Sequence, residues 1–496
     1  MPDGRQAVGY DPPPMKRSLL LYALVLAAAG AAIAGVLHLG SSLPAPQGFA
    51  GAHSGGAVAA VQQSSAFATL MGGLLGHLQQ PLGHLFLQLL AIILVSRLVS
   101  RLFVWMGQPA VIGEMAAGIV LGPSLFGLLA PDAFAFVFPA SSMGMLGILS
   151  QIGVCLFMFT VGMEVNVGHV RGTARTAVVV SQTGILIPYL LGLLLAYFLF
   201  SSMAAPGTGF TAFALFMGIS MSITAFPVLA RILQDRGLSQ TALGSMAITC
   251  AAVGDVTAWS ILALVVAVAT ATGLGGTALN LLLVLAFVLL MVAGVRRVLP
   301  RWIGQQQLAD REPSRPTLAV VACLVMASAL TTEVLGIHSL FGAFLAGMIM
   351  PEAHDFRRKI AMRLESFSSV LLLPLFFTFT GLRTQVGLID DLSGWLICLL
   401  VIAVATLGKL GATALAARFS GMRWRESLQL GALMNTRGLM ELIALNIGYD
   451  LGILSSRIFT MLVIMALVTT VLTGPLLTLF SPRQASVGGL GKPSNY

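Results

Sequence analysis

Apolar residues run along the chain in stretches of about twenty, separated by short polar breaks. A helix of ~20 residues crosses the hydrocarbon core of a bilayer. The pattern predicts spans at 19–39, 82–104, 109–128, 143–164, 174–200, 208–233, 240–270, 275–299, 316–334, 337–351, 365–387, 392–418, 427–448 and 457–480. The runs do not alternate apolar and polar residues, which excludes a membrane β-barrel. The first span follows Lys16-Arg17 and precedes a Gly/Ala/Ser/Gln-rich linker at 41–65. A signal peptide shares these flanks, but the apolar run is long for one, so it is read as a retained helix.

Only 9% of the 496 residues are charged and 57% are hydrophobic, against about 25% charged in a soluble domain. This is an all-α polytopic membrane protein. A net charge of +9 would suggest nucleic acid in a soluble chain. Here the basic residues sit in short loops between spans, so no nucleic-acid partner is expected and the bilayer is the partner. The four cysteines lie inside apolar runs without metal-ligand spacing, which fits core thiols rather than disulfides or a metal site.

Loop charge sets the orientation. With the N-terminus in the cytoplasm, all 27 Lys and Arg fall on the cytoplasmic side except Arg383 and Arg457, in outer loops, and Lys409 and Arg437, inside spans. The positive-inside rule expects this, and one missed helix would scramble it. Both termini are therefore expected in the cytoplasm, in a cell-membrane protein.

Without the first helix the spans divide into six, one and six, the two sixes starting on opposite sides. That is the arithmetic of an inverted repeat. The domains read as an N-terminal tail, extra helix and linker at 1–80, a membrane domain at 81–480, and a short cytoplasmic tail at 481–496. Repeat one covers 81–270, a linker helix 274–299 and repeat two 315–480.

Two spans are interrupted at matching places, each the fifth of its six. "SMSITAFPVLARIL" puts Ser222, Thr224 and Pro227 at mid-membrane, and "LMNTRGLMEL" puts Asn435, Arg437 and Gly438 there. Proline lacks an N–H and disrupts the preceding turn. Paired interruptions in corresponding halves point to a transporter's binding site.

Ionisable residues within spans are few: Glu114, Asp255, Lys409, Arg437 and Glu441. Burying a charge at the bilayer centre costs at least ~2.5 kcal/mol, so such groups face a cavity or a partner. Asp255 lies one helix after the first interruption. A carboxylate in a wet midplane cavity can exchange a proton for an alkali cation, because both compete for the same oxygens. Lys409 is its natural partner when it is ionised and cation-free. Arg437 and Glu441, four residues apart on one helix face, are expected to neutralise each other and steady the broken helix. Glu114 reads equally as a second functional acid or a packing anchor. The seven histidines show no common site. The "GIVLG" run at 118–122 is a weak small-xxx-small signal.

The motifs "GEMAAGIVLGPSLFG", "SITAFPVLARIL", "AAVGDVTAW", the Gly-Lys pair at 408–409 and "MNTRGLMELIALNIG" together resemble the monovalent cation:proton antiporter superfamily. The resemblance covers about 82–480 and is nearest to plant cation/proton exchangers and bacterial glutathione-gated potassium efflux systems. It implies a thirteen-helix antiporter core, usually a homodimer, in which the fifth and twelfth helices unwind and cross. It implies a dimerisation domain from helices one to three and eight to ten, and a mobile ion-binding domain from the rest of the two repeats. It places the essential aspartate at Asp255 and the helix-eleven basic residue at Lys409. The residue before the aspartate, commonly Asn or Asp in the family, is Gly254 here, so the family's rule for stoichiometry has no side chain to act on. The fused regulatory domains of some relatives are not expected.

The expected activity is exchange of potassium or sodium for protons, with Ser222 and Thr224 beside Asp255 at the cation site and no cofactor beyond the transported ions. Two other classes use similar features. A passive channel or ion-gated sensor would use the same site without linked proton movement. An intramembrane aspartyl protease would need two membrane aspartates, but here the motif order is reversed, residue 252 is Ala and Asp450 lies at a span end.

Overall fold

A computed structural model describes residues 80–164, 174–239, 241–270, 274–304, 313–351 and 355–480. The expected helix at 19–39, its linker and the tail after residue 480 lie outside the described residues. So do the loops carrying Arg171 and Arg311. Among the described residues the chain is helical, with one isolated β-bridge between Ala204 and Leu454. Eleven helices among the described residues are long and apolar enough to cross a membrane.

In chain order the main helices, long and short, are α1 (Pro81–Trp105), α2 (Ala110–Leu121), α3 (Met143–Glu164), α4 (Ala174–Met203), the two halves α5a (Phe210–Ser222) and α5b (Phe226–Asp235), α6 (Ala242–Thr270) and α7 (Leu274–Leu289), which runs through a π-helical turn into Arg296–Ile303. Then follow α8 (Arg315–Val334), α9 (Ser339–Met348), α10 (Leu373–Arg383), α11 (Leu392–Phe419), α12a (Trp424–Met434), α12b (Leu439–Asp450) and α13 (Ser456–Phe480).

Three expected spans differ in extent. The span expected at 337–351 is only ten residues of helix, α9. The one expected at 365–387 joins an earlier basic helix, Phe356–Phe367, through a π-turn at Ser368–Leu372. The one expected at 427–448 is two halves of 11 and 12 residues, too short to span alone.

Helix α1 reverses the soluble rule of apolar inside and polar outside. On α1 the buried face is His84, Gln88, Ile92, Ser96 and Ser100, while Leu82, Phe86, Leu90, Leu94 and Leu98 point outward. Lipid solvates leucine as well as a core does, but it offers no hydrogen bonds. Gln88 accordingly donates to the Val137 carbonyl at 2.8 Å and to Ser142 Oγ at 2.7 Å.

With little hydrophobic force between helices in lipid, close backbone approach holds them together. The "GIVLG" run does this. A Cβ on Gly118 would lie 2.2 Å from the Phe377 carbonyl oxygen, and one on Gly381 would lie 2.0 Å from the Gly118 carbonyl carbon. The α2 and α10 backbones thus cross in contact. A large apolar core surrounds the interrupted helices, with Phe159, Phe213, Phe216 and Phe459 fully buried and Trp259 stacked on Phe344 at 6.0 Å.

Candidate ion-binding site

The two interruptions meet. α5a stops at Ser222 because Pro227 cannot donate a backbone hydrogen bond and would clash with the carbonyl of Ile223, four residues earlier. Ile223 to Ala225 are non-helical, and α5b begins at Phe226 with Pro227 in its first turn, where the missing N–H has no helical acceptor anyway. α12a ends at Met434. Gly438 then takes φ +148° and ψ −128°, a conformation reserved for glycine, and opens α12b.

The two non-helical segments bind each other. The Ala225 N–H donates to the Thr436 carbonyl at 3.0 Å, and Thr224 Oγ1 donates to the Met434 carbonyl at 3.1 Å. Thr470 on α13 clamps residue 437, accepting from its N–H at 3.0 Å while its hydroxyl donates to its carbonyl at 2.9 Å.

α5a and α12a end inside the membrane with unsatisfied carbonyls and a partial negative charge, whereas α5b and α12b begin there with the opposite polarity. Two cations satisfy the carbonyls of α5a. Arg437 donates through Nη1 to the Ser220 carbonyl at 2.5 Å and through Nη2 to the Met221 carbonyl at 2.6 Å. Lys409 Nζ donates to the Ser222 carbonyl. Arg437 also pairs with Glu441 at 2.7 Å, both side chains being fully buried. Glu441 lies in the first turn of α12b, where the helix dipole favours a carboxylate. Arg437 therefore ties one broken helix to the other, a wider role than local neutralisation of Glu441.

Asp255 lies midway along α6, only 2% exposed, on the inward stripe of Ala247, Ala251, Ala258 and Leu262. α6 packs on α4, α5a, α5b and α12a, so the carboxylate belongs to the helix that lines the crossing. Lys409, expected as its partner, hydrogen-bonds the Ser222 carbonyl and lies within electrostatic range of Asp255, Arg437 and Glu441. The Ser222 hydroxyl donates back to Ile219 at 3.0 Å. Ser222 and Thr224 thus spend their protons on carbonyls and keep oxygen lone pairs for a ligand. Asn435 is fully buried in the break, and its amide oxygen and nitrogen have no hydrogen-bond partner. Glu114 is buried on α2 within electrostatic range of Arg97, while its neighbour Met115 approaches Gly438.

Three residues escaped the sequence reading. Ser181 on α4 donates to the Cys250 carbonyl at 2.8 Å, and a Cβ on Gly254 would meet its Oγ at 3.2 Å. Its hydroxyl thus stands beside the space left by the absent side chain before Asp255. Gln182 donates to Thr257 at 2.8 Å, a second polar tie between α4 and α6. The signal was present, since "SQT" interrupts the apolar run of α4. Thr470, the clamp on residue 437, likewise reads in sequence as an ordinary span threonine.

A cleft of about 440 Å³ opens at the end of the bundle expected in the cytoplasm, lined by Gln108 and Ala110 before and at the start of α2, Arg231 and Asp235 of α5b, and Thr470 and Gly474 of α13. Thr470 thus links the cleft wall to the crossing.

Residues 89–481 match the family described as sodium/hydrogen exchanger, transmembrane. The chain belongs to that family. It is 42% identical over 398 residues to the Na(+)/H(+) antiporter NhaS4 of Synechocystis, the match covering 80% of this chain and 97% of that protein. It is 32% identical over 409 residues to the K(+)/H(+) antiporter 1 of Saccharomyces cerevisiae, covering 81% of this chain but 47% of that longer one. Its fold is similar to that of the sodium proton antiporter MjNhaP1 from Methanocaldococcus jannaschii, with a TM-score of 0.57 at 14% identity, covering 83% of this chain and 98% of that one. This exchanger-family chain is thus a multi-pass membrane protein of a family of cation:proton antiporters, not enzymes. The protease reading falls with that, and Asp450 is engaged in an ion pair with Arg383 at 2.7 Å.

Proposed function

We propose that the chain exchanges a potassium or sodium ion for protons by alternating access, proton and cation competing for the Asp255 carboxylate. The observation that carries this is a buried carboxylate on the helix lining two crossed, interrupted helices. Ser222 and Thr224 would add oxygen ligands from the unwound segment. A bound cation would be held by hard oxygens at low coordination cost, since those hydroxyl protons already have acceptors. When Asp255 is ionised and cation-free, Lys409 supplies the compensating charge. Arg437, Glu441, Asn435, Gly438 and Pro227 keep the crossing open against helix formation, and Glu114 serves as a second acid near the cleft. The transported ions are the only small ligands required. A homodimer in the cell membrane, both termini in the cytoplasm and two inverted six-helix repeats complete the proposal.

The test uses proteoliposomes with a trapped pH dye and an imposed proton gradient. Potassium, sodium or lithium is added to wild type and to Asp255→Asn. Cation-triggered dissipation in wild type, absent in the variant, supports antiport at Asp255. No response to any alkali cation, an equal response in the variant, or cation current without proton movement would overturn it.

A further inference from the structure

Only two arginines fall in the outer loops of the expected topology, and both are ion-paired. Arg457 on α13 pairs with Asp391 at the start of α11, two helices that pack directly on one another. Arg383 is different. It ends α10 and pairs with Asp450, which ends α12b, at 2.7 Å. α10 is anchored through Leu375, Phe379 and Leu382 against Ile92, Leu121 and Leu146 of α1, α2 and α3. α12b packs mainly on α5a and α13, and more lightly on α10. At their outer ends the two helices are joined by polar contacts. Arg383 Nη1 also donates to Asn446 Oδ1 at 3.0 Å, and Asn446 Nδ2 donates to Thr380 Oγ1 at 2.8 Å.

Directly beneath lies a cavity of about 20 Å³, bounded by polar Gln151, His338 and Asn446 and by apolar Val154 and Ile443. That is room for about one water molecule. At the opposite end of the bundle the cleft measures about 440 Å³. A cleft of about 400 Å³ also opens at the outer end, beside Pro81, His84 and Gln88 of α1, but over the α10–α12b seam the outer face narrows to the one-water cavity, capped by an ion pair whose side chains are 20% and 34% exposed. An apolar seal would have to be unpacked, whereas a partly hydrated ion pair exchanges its partners for water at little cost.

We propose that Arg383 and Asp450, steadied by Asn446, are the closure of the outer mouth, which parts when the transporter turns outward. The inference rests on alternating access as proposed above. It makes these residues gating groups for the transport reaction, remote from the cation ligands.

The test places a single cysteine at Ile443, which is buried on the cavity wall, in a chain whose four native cysteines are alanine. Reconstituted protein is labelled from outside with a membrane-impermeant maleimide. Arg383→Gln and Asp450→Asn should each raise the labelling rate by up to about fivefold, the most such a pair holds an equilibrium. The charge-swapped double variant Arg383→Asp/Asp450→Arg should return it toward wild type, and Asp391→Asn, which breaks the other outer pair, should leave it unchanged. Unchanged labelling in both single variants, no restoration by the swap, or an equal rise in Asp391→Asn would overturn the closure. Proton–cation coupling measured on the same liposomes separates the two ideas: coupling with unchanged labelling removes the gate alone, and no coupling removes alternating access itself.

Discussion

Arg437→Ala is the perturbation whose magnitude the structure best determines. The guanidinium is fully buried and serves three acceptors: the Glu441 carboxylate and the carbonyls of Ser220 and Met221. Within a membrane a hydrogen bond averages ~0.6 kcal/mol and reaches ~1.7, so the two carbonyl bonds account for roughly 1–3 kcal/mol. Stranding a buried charge by removing its partner costs about 3–5 kcal/mol. The stranded carboxylate is therefore the larger effect, and the single variant should lose about 4–8 kcal/mol. Unfolding entropy of ~2.1 cal/mol/K per residue over a core of about 400 residues converts this to a Tm roughly 5–10 °C lower. Arg437→Ala/Glu441→Ala removes the stranded charge and should be more stable than the single variant, by a few degrees. A thiol-reactive dye in detergent reads this once the exposed Cys323 is replaced by alanine, because Cys155, Cys250 and Cys398 are buried until the helices separate. If the single variant melts within a degree of wild type, or the double variant melts lower than the single one, the ion pair does not hold the crossing and the reasoning fails.

Other outcomes follow from specific atoms. Gly438→Ala should lower both Tm and exchange rate, since alanine is strained at φ +148° and its Cβ would lie 3.1 Å from Val228 Cγ2; unchanged exchange would show that the break tolerates another geometry. Gly118→Ala, whose Cβ meets the Phe377 carbonyl, should force α2 from α10 and reduce expression of folded protein, whereas Gly411→Ala, with nothing within 4 Å, should be neutral or stabilise the helix by ~0.5–1 kcal/mol. The Asp391 carboxyl accepts from Ser393 and the Gly394 N–H and faces Arg457, and these hold it below its ordinary value of 3.8. Its contribution is therefore present at neutral pH and is lost as pH falls through the lowered value, so Asp391→Asn should flatten the acid limb of a Tm-against-pH curve. An acid limb as steep in the variant as in wild type would remove Asp391 from that linkage.

Much of the molecule was legible in the residues. A membrane helix must bond its own backbone and match a fixed bilayer thickness, so each span is a local property, and the eleven long helices follow the apolar runs. The interruptions were legible too, because Pro227 and Gly438 act on their own turns. So was the Arg437–Glu441 pair, set by four residues of helix. What the chain alone left undecided is where the spare valences go. Arg437 donates to carbonyls 216 and 217 residues earlier, and Lys409 reaches one 187 residues earlier. Neither acceptor differs in sequence from any other backbone carbonyl. They became acceptors only because one helix end was brought against another. Ser181 beside Gly254 was hidden for the same reason, as was Arg383 on Asp450. Bilayer thickness and backbone bonding are rules each segment obeys alone, so the sequence determined the spans and their breaks; which polar groups meet depends on how the segments cross, and tertiary packing alone decided that.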